Sequence, residues 1–271
     1  MAIPTLAEFN PLMWQAEFAR HALAARKWDG KDPAKSITLL AIAGGRGSGK
    51  SVLLCWTAIM LALTRPGARI GLCMDTFRRL ADVHRPILAT MIKGLPATIV
   101  DNDVRFANGS TILLRYLDMA GDPTNSQSPI EGLEFHVLIV DECQLVDENY
   151  WVVLQTRARQ TMTDVAGQEC MPAVITCGTA SNTWWMAATK AQGGLTWRPK
   201  TRTNTYLPPG TEDRLRAQIT AAQAASMLDA EDMVLEGAIF EPYKESLYPN
   251  GSLVKIDLGK IDWQTTRTIL A

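Results

Sequence analysis

The sequence predicts an α/β fold, a doubly wound and mainly parallel sheet, on three observations. Short apolar runs of strand type alternate with helical stretches along the chain. Each run ends in a polar or glycine-containing turn, as strands buried on both faces do. One of these turns, Gly44 to Ser51, reads GGRGSGKS and lies between a strand-like run and a helix-like one.

The elements follow in order. Pro11, Leu12, Trp14, Gln15 and Phe18 fit an amphipathic helix ahead of the first strand, Thr38 to Ala43. The apolar stretch Val52 to Leu63 reads as a buried helix, well short of the ~20 residues that span a membrane. Arg69 to Met74 is the second strand. Val104 to Phe106 and Thr111 to Tyr116, joined by Ala107, Asn108, Gly109 and Ser110, form a β-hairpin insertion. Val137 to Asp141 and Ala173 to Cys177 complete the parallel set. Pro208, Pro209 and Gly210 break the chain, and the alanine- and glutamine-rich Thr211 to Leu235 reads as a small helical lid. Arg267 to Ala271 has the apolar, partly β-branched character of another strand. The expected division is a core over 1–206, a lid or linker over 207–262, and the start of a further domain at 263–271.

Composition narrows little. The 271 residues carry 27 lysines and arginines against 28 acidic residues, so a net charge of −1 neither announces nor excludes a nucleic-acid partner. The five cysteines lack CxxC spacing and the three histidines do not cluster with them in sequence, so no structural zinc or disulfide is expected. Nothing at the N-terminus resembles an export signal, which makes the cytoplasm the default location.

Chemistry concentrates in two motifs. GGRGSGKS satisfies G-x-x-x-x-G-K-[ST], a phosphate-binding loop. Backbone N–H groups along Gly44, Gly45, Arg46, Gly47, Ser48 and Gly49 would wrap a β-phosphate, the glycines permitting unusual dihedrals and close approach. Lys50 would reach the β- and γ-phosphates of ATP, and Ser51 would ligate magnesium. The second motif is HVLIVDE, His136 to Glu142. A buried strand ending in paired carboxylates lets Asp141 organise the magnesium shell while Glu142 polarises the attacking water, which favours hydrolysis over transfer to a small-molecule acceptor. The fold expectation sharpens accordingly to a P-loop NTPase of the additional-strand, catalytic-glutamate type.

Accessory candidates surround these motifs. The Gln15 amide offers donor and acceptor together, matching the adenine edge. Arg46 puts a guanidinium near the γ-phosphate, as a cis-acting arginine or sensor, or else pairs with an acidic neighbour. Arg157 and Arg159, read on a helix past the carboxylates, are candidates for an arginine finger donated to another subunit. Ile175 to Asn182, ITCGTASN, ends a strand with hydroxyls at the crevice, and Thr179 among them could sense the γ-phosphate. Arg78, Arg79 and Arg85, with Arg198, Lys200 and Arg202, could neutralise phosphates of DNA.

Taken together, Gln15, the arginine-bearing loop, Asp141 with Glu142 and ITCGTASN resemble the ATPase half of a tailed-bacteriophage large terminase. FANGSTILLRYLD at 106–118 and MVLEGAIFEPY at 233–243 are similar to further segments of that family. The resemblance implies a DNA-packaging motor acting on double-stranded DNA in the cytoplasm of an infected bacterial host. Its implied partners are a small terminase subunit, the portal protein of a procapsid and sister subunits in a ring, with no membrane. It also implies a nuclease domain beyond RTILA at 267–271, so this stretch of sequence is expected to lack nuclease activity. One departure is Glu131, near where many terminases carry a trans-acting arginine. A helicase-like translocase shares the loop and the paired carboxylates, and a small-molecule kinase shares the loop alone.

Overall fold

The structure, a computed structural model, describes residues 3–32, 35–117, 130 and 132–232. Its elements in chain order are α1 (Met13–Leu23), β1 (Thr38–Ala43), α2 (Lys50–Thr64), β2 (Arg69–Met74), α3 (Phe77–Arg79), a π-helical turn (Leu80–His84) and α4 (Arg85–Met91). Then come β3 (Ala97–Val100), β4 (Asp103–Phe106), β5 (Thr111–Tyr116), β6 (Val137–Val140), α5 (Tyr150–Arg157), β7 (Met162–Thr163), β8 (Glu169–Cys170) and β9 (Ala173–Gly178). The last are α6 (Trp184–Ala191), β10 (Leu195–Trp197), α7 (Thr211–Arg216) and α8 (Ala221–Met227).

Eight strands form one sheet in the order β10-β1-β9-β6-β2-β5-β4-β3. Pairings from β10 through β5 are parallel, and β5-β4-β3 is an antiparallel meander at one edge. β9 lies between β1, which feeds the phosphate loop, and β6, which carries the carboxylates. That intervening strand is the additional strand expected from the sequence.

Strand residues alternate between two cores, because a period of two sends successive side chains to opposite faces. Leu40, Ile42, Ile70, Leu72, Val137, Ile139 and Ile175 join α2, α4 and Phe18 of α1 on one face. Leu39, Ala41, Leu138, Val140 and Val174 join Trp151 and Leu154 of α5 and Trp185 of α6 on the other. Helix α2 is apolar on most of its circumference because it is sandwiched between the sheet and α1 and α4.

Several local expectations change. β3 and β10 were not legible, since β3 is a half-exposed edge strand and not a fully buried run and β10 has three residues, and the β7–β8 ribbon is shorter still. Asp141 has left the strand, whereas Gly178 belongs to β9. α5 stops at Arg157, so Arg159 is not on a helix. The helical stretch from Thr211 splits in two because Thr220 caps a second helix. Its Oγ1 accepts the Gln223 N–H at 3.2 Å while Gln223 Oε1 accepts the Thr220 N–H at 3.0 Å. Segment 233–243, the strand at 267–271 and Glu131 lie outside the described residues. None of the described helices is long and apolar enough to cross a membrane.

Candidate nucleotide site

The parallel register sets Ala43 beside Gly178, and Val140 beside both Thr176 and Cys73. Three chain segments therefore leave the sheet at the same crest: the loop after β1, the carboxylates after β6 and the turn after β9. A cavity of about 740 Å³ opens there, lined among others by Arg46, Lys50, Ser51, Glu142, Gln144 and Thr179.

The loop turns on glycine. Gly47 and Gly49 have φ of 76° and 93°, a region costly for other residues, and Gly49 starts α2. Lys50 is buried, its Nζ donating to the Gly44 and Gly45 carbonyls at 2.9 Å each. The Ser51 hydroxyl donates to Asp141 Oδ2 at 2.8 Å. Two hard oxygen donors so close together suit magnesium, which binds through one or two side chains plus substrate phosphates. A loop with its lysine below and this oxygen pair beside it likewise suits a nucleoside triphosphate.

Asp141 is fully buried, with its other oxygen accepting the Glu142 N–H at 2.9 Å. His84, also fully buried, sets Nε2 3.2 Å from Asp141 Oδ2, while its Nδ1 is 3.3 Å from Cys55 Sγ on α2. Burial alone would raise the Asp141 pKa, but contacts with His84, then Ser51 and Lys50, hold it below the usual carboxylate value. Burial likewise opposes charge on His84, yet Cys55 and Asp141 outweigh it and lift the imidazole to about 10.

Glu142 occupies the left-handed region at φ 56°, one of three such non-glycine residues described. This conformation costs a β-carbon-bearing residue about 1–2 kcal/mol, so the surrounding structure must hold it there. Gln144 helps: its amide nitrogen donates to Glu142 Oε2, and its oxygen accepts the Thr179 N–H at 3.1 Å.

The other expected residues divide. Arg46 is exposed on the cavity, and no carboxylate among the described residues pairs with it. Its backbone is tied to the C-terminal elements: its N–H donates to Met227 O at 2.6 Å and its carbonyl accepts the Thr201 hydroxyl at 2.8 Å. Thr179 is buried at the cavity wall, 3.4 Å from the Ser181 hydroxyl. Gln15 is not turned outward: its oxygen accepts the Leu12 N–H at 2.8 Å and its nitrogen donates to Gly49 O at 3.0 Å. Adenine pairing would require giving those bonds up. Arg157 and Arg159 flank Phe135, at the start of β6 and away from the loop, with Arg159 paired to Glu134. Of the basic residues expected on DNA, Arg79 pairs with Asp75 at 3.1 Å, Arg198 with Asp232 at 2.9 Å and Lys200 with Glu231 at 3.8 Å.

Sequence reasoning missed His84 and Gln144. Nothing local marks His84, whose partners come from α2 and the end of β6. Gln144 had a weak signal in its position two residues past a catalytic-type glutamate.

No family profile and no curated protein matches the chain. Solved structures do. The large terminase of a thermophilic bacteriophage, in complex with ADP, shares 16% identity, with a TM-score of 0.62 over 87% of this chain and 57% of that one. The large terminase ATPase domain of Thermus phage P74-26 shares 13%, with a TM-score of 0.57 over 84% of this chain and 96% of that domain. The HK97 bacteriophage large terminase shares 13%, with a TM-score of 0.54 over 82% of this chain and 50% of that one. The chain thus spans a little over half of the ADP-bound terminase and nearly all of the isolated P74-26 domain. Its fold is that of the ATPase domain of a bacteriophage large terminase.

Proposed function

We propose that this chain is the ATPase motor domain of a phage large terminase, hydrolysing ATP with magnesium to drive double-stranded viral DNA into a procapsid. The observation that carries this reading is the hydrogen bond from Ser51 to Asp141, 90 positions away in sequence, with Glu142 following at the same crest. The likeness in fold to terminase ATPase domains, one of them in complex with ADP, supports it.

In this mechanism Lys50 exchanges its two carbonyl partners for phosphate oxygens, and the loop N–H groups hold the β-phosphate. Ser51 and Asp141 would hold magnesium, which when bound would supply neutralisation of phosphate charge. Glu142 accepts a proton from water as the water oxygen bonds to the γ-phosphorus. The bond from that phosphorus to the bridging oxygen breaks, leaving ADP and phosphate. Arg46, which lines the cavity, would act in cis, and Arg157 and Arg159, beside Phe135, would serve a neighbouring subunit's site. The small terminase subunit, portal protein and homo-oligomeric ring are partners on this reading, and Gln15 would meet adenine only after release from Gly49.

The test is ATP turnover with no acceptor present. Glu142→Gln should retain nucleotide binding while losing turnover by about 10²–10⁴-fold, and Lys50→Ala should lose binding. Turnover unchanged in Glu142→Gln would refute the hydrolytic role, and phosphate release only with an added acceptor would favour a kinase.

A further inference from the structure

Gln144 has no part in the chemistry above, yet its side chain is engaged at both ends. Its Nε2 donates to Oε2 of Glu142, and its Oε1 accepts the Thr179 N–H at 3.1 Å. The reverse orientation would aim a carbonyl oxygen at a carboxylate and an NH₂ group at an N–H, so the network fixes the amide. The approach is tight. A β-carbon on Gly178 would overlap Gln144 Oε1 and lie 2.9 Å from two ring atoms of Trp185. Gly178 does not have positive φ, so it is close approach and not backbone conformation that calls for glycine here.

Glu142 and Thr179 leave different strands, β6 and β9, whose ladder pairs Val140 with Thr176. The ladder fixes the strand backbones but not the residues beyond their ends. Gln144 bridges that gap. A carboxylate moving toward substrate must either break its bond to the amide or draw Thr179 with it, and Thr179 contacts the Ser181 hydroxyl on the cavity wall.

We propose that Gln144 is a positioning residue that holds the Glu142 carboxylate and couples its placement to the Thr179–Ser181 turn. This rests on the hydrolytic reading of Glu142 only for its effect on rate. The tether itself is independent of that reading.

Two arms test it. The first is a double-mutant cycle on kcat and KM for ATP with Gln144→Leu, Glu142→Gln and the pair. Gln144→Leu should lower kcat by about 10- to 100-fold with KM within about twofold, as expected of a misplaced catalytic group. It should cause no further loss in the Glu142→Gln background. Losses that multiply would overturn the proposal, because a merely structural role acts in either background.

The second arm is hydrogen exchange at the Thr179 amide, which needs no turnover. Exchange should quicken in Gln144→Leu and also in Glu142→Ala, which frees the far end of the tether. Gln144→Glu, which retains an acceptor for Thr179 but no donor for Glu142, should lower kcat while leaving that amide protected. A Thr179 amide indifferent to Glu142→Ala would overturn the coupling. Should Glu142→Gln leave turnover unchanged, the hydrolytic reading fails and the exchange arm alone decides the tether.

Discussion

Asp141 shows how one buried carboxylate is kept charged. Its oxygens accept the Ser51 hydroxyl and the Glu142 N–H, and the His84 imidazole lies 3.2 Å from Oδ2, so the desolvation penalty is offset by three neighbours. His136, at the opposite end of β6, resolves the same problem by staying neutral. Its Nδ1 meets Gln160 O at 2.8 Å, and its other nitrogen faces the buried Arg65 guanidinium. Burial and then Arg65 drive its pKa down to about 4, against the bond to Gln160. An unfolded chain takes up this proton near pH 6.5, while the folded imidazole resists it down to about 4. The contribution of His136 to stability is therefore full above pH 6.5 and falls between 6.5 and 4, by up to about 3 kcal/mol. Thermal melts across that window should show the loss, and His136→Gln should flatten it. The meeting of Lys50, Ser51, Asp141 and Glu142 at one crest was legible because the phosphate-loop and paired-carboxylate patterns put those residue types at fixed places in a motif. His84 was not, because a histidine's role depends on neighbours brought in by the fold.

At the scale of elements, the four central parallel strands were legible because burial on both faces leaves an unbroken apolar run. β10 hides behind its brevity and follows Gly193 and Gly194. The joint between the phosphate loop and the C-terminal elements was equally hidden, being made largely by backbone groups. Gly45 N donates to Pro199 O at 2.8 Å, Thr201 N to Leu228 O at 2.7 Å, and the Asn204 amide to Gly47 O at 2.6 Å. The joint leaves no space for a side chain at Gly45, where a β-carbon would overlap Leu228 O and lie 2.8 Å from Thr201 N. Gly45→Ala should therefore cost about 1–3 kcal/mol by overpacking and loosen α8 from the loop. Denaturant unfolding together with faster proteolysis near residues 220–228 would register both effects.

Across the whole molecule, the site is a product of strand order. The loop and the paired carboxylates announce themselves in sequence, but their meeting depends on β9 lying between β1 and β6. That placement followed from the motif pair and their resemblance to a known family, not from periodicity. Two side-chain oxygens are too few to hold magnesium without phosphates, so the metal should matter to turnover and little to the fold. Chelation by EDTA should abolish ATP hydrolysis while leaving the melting temperature of the nucleotide-free protein unchanged. A large drop in that temperature would point to a structural metal instead.

All five cysteines are buried as free thiols within the cores and the β7–β8 ribbon. Burial raises the pKa of Cys73 to about 12 and lifts those of Cys143, Cys170 and Cys177 as well, which suppresses the reactive thiolate. The native protein should accordingly be silent to a thiol reagent such as DTNB until denatured, when all five should respond. The chain is in effect pre-masked for labelling. One cysteine introduced on the exposed side of α8, at Ala221 for example, could carry a fluorophore and report α8 motion during turnover without removal of any native cysteine.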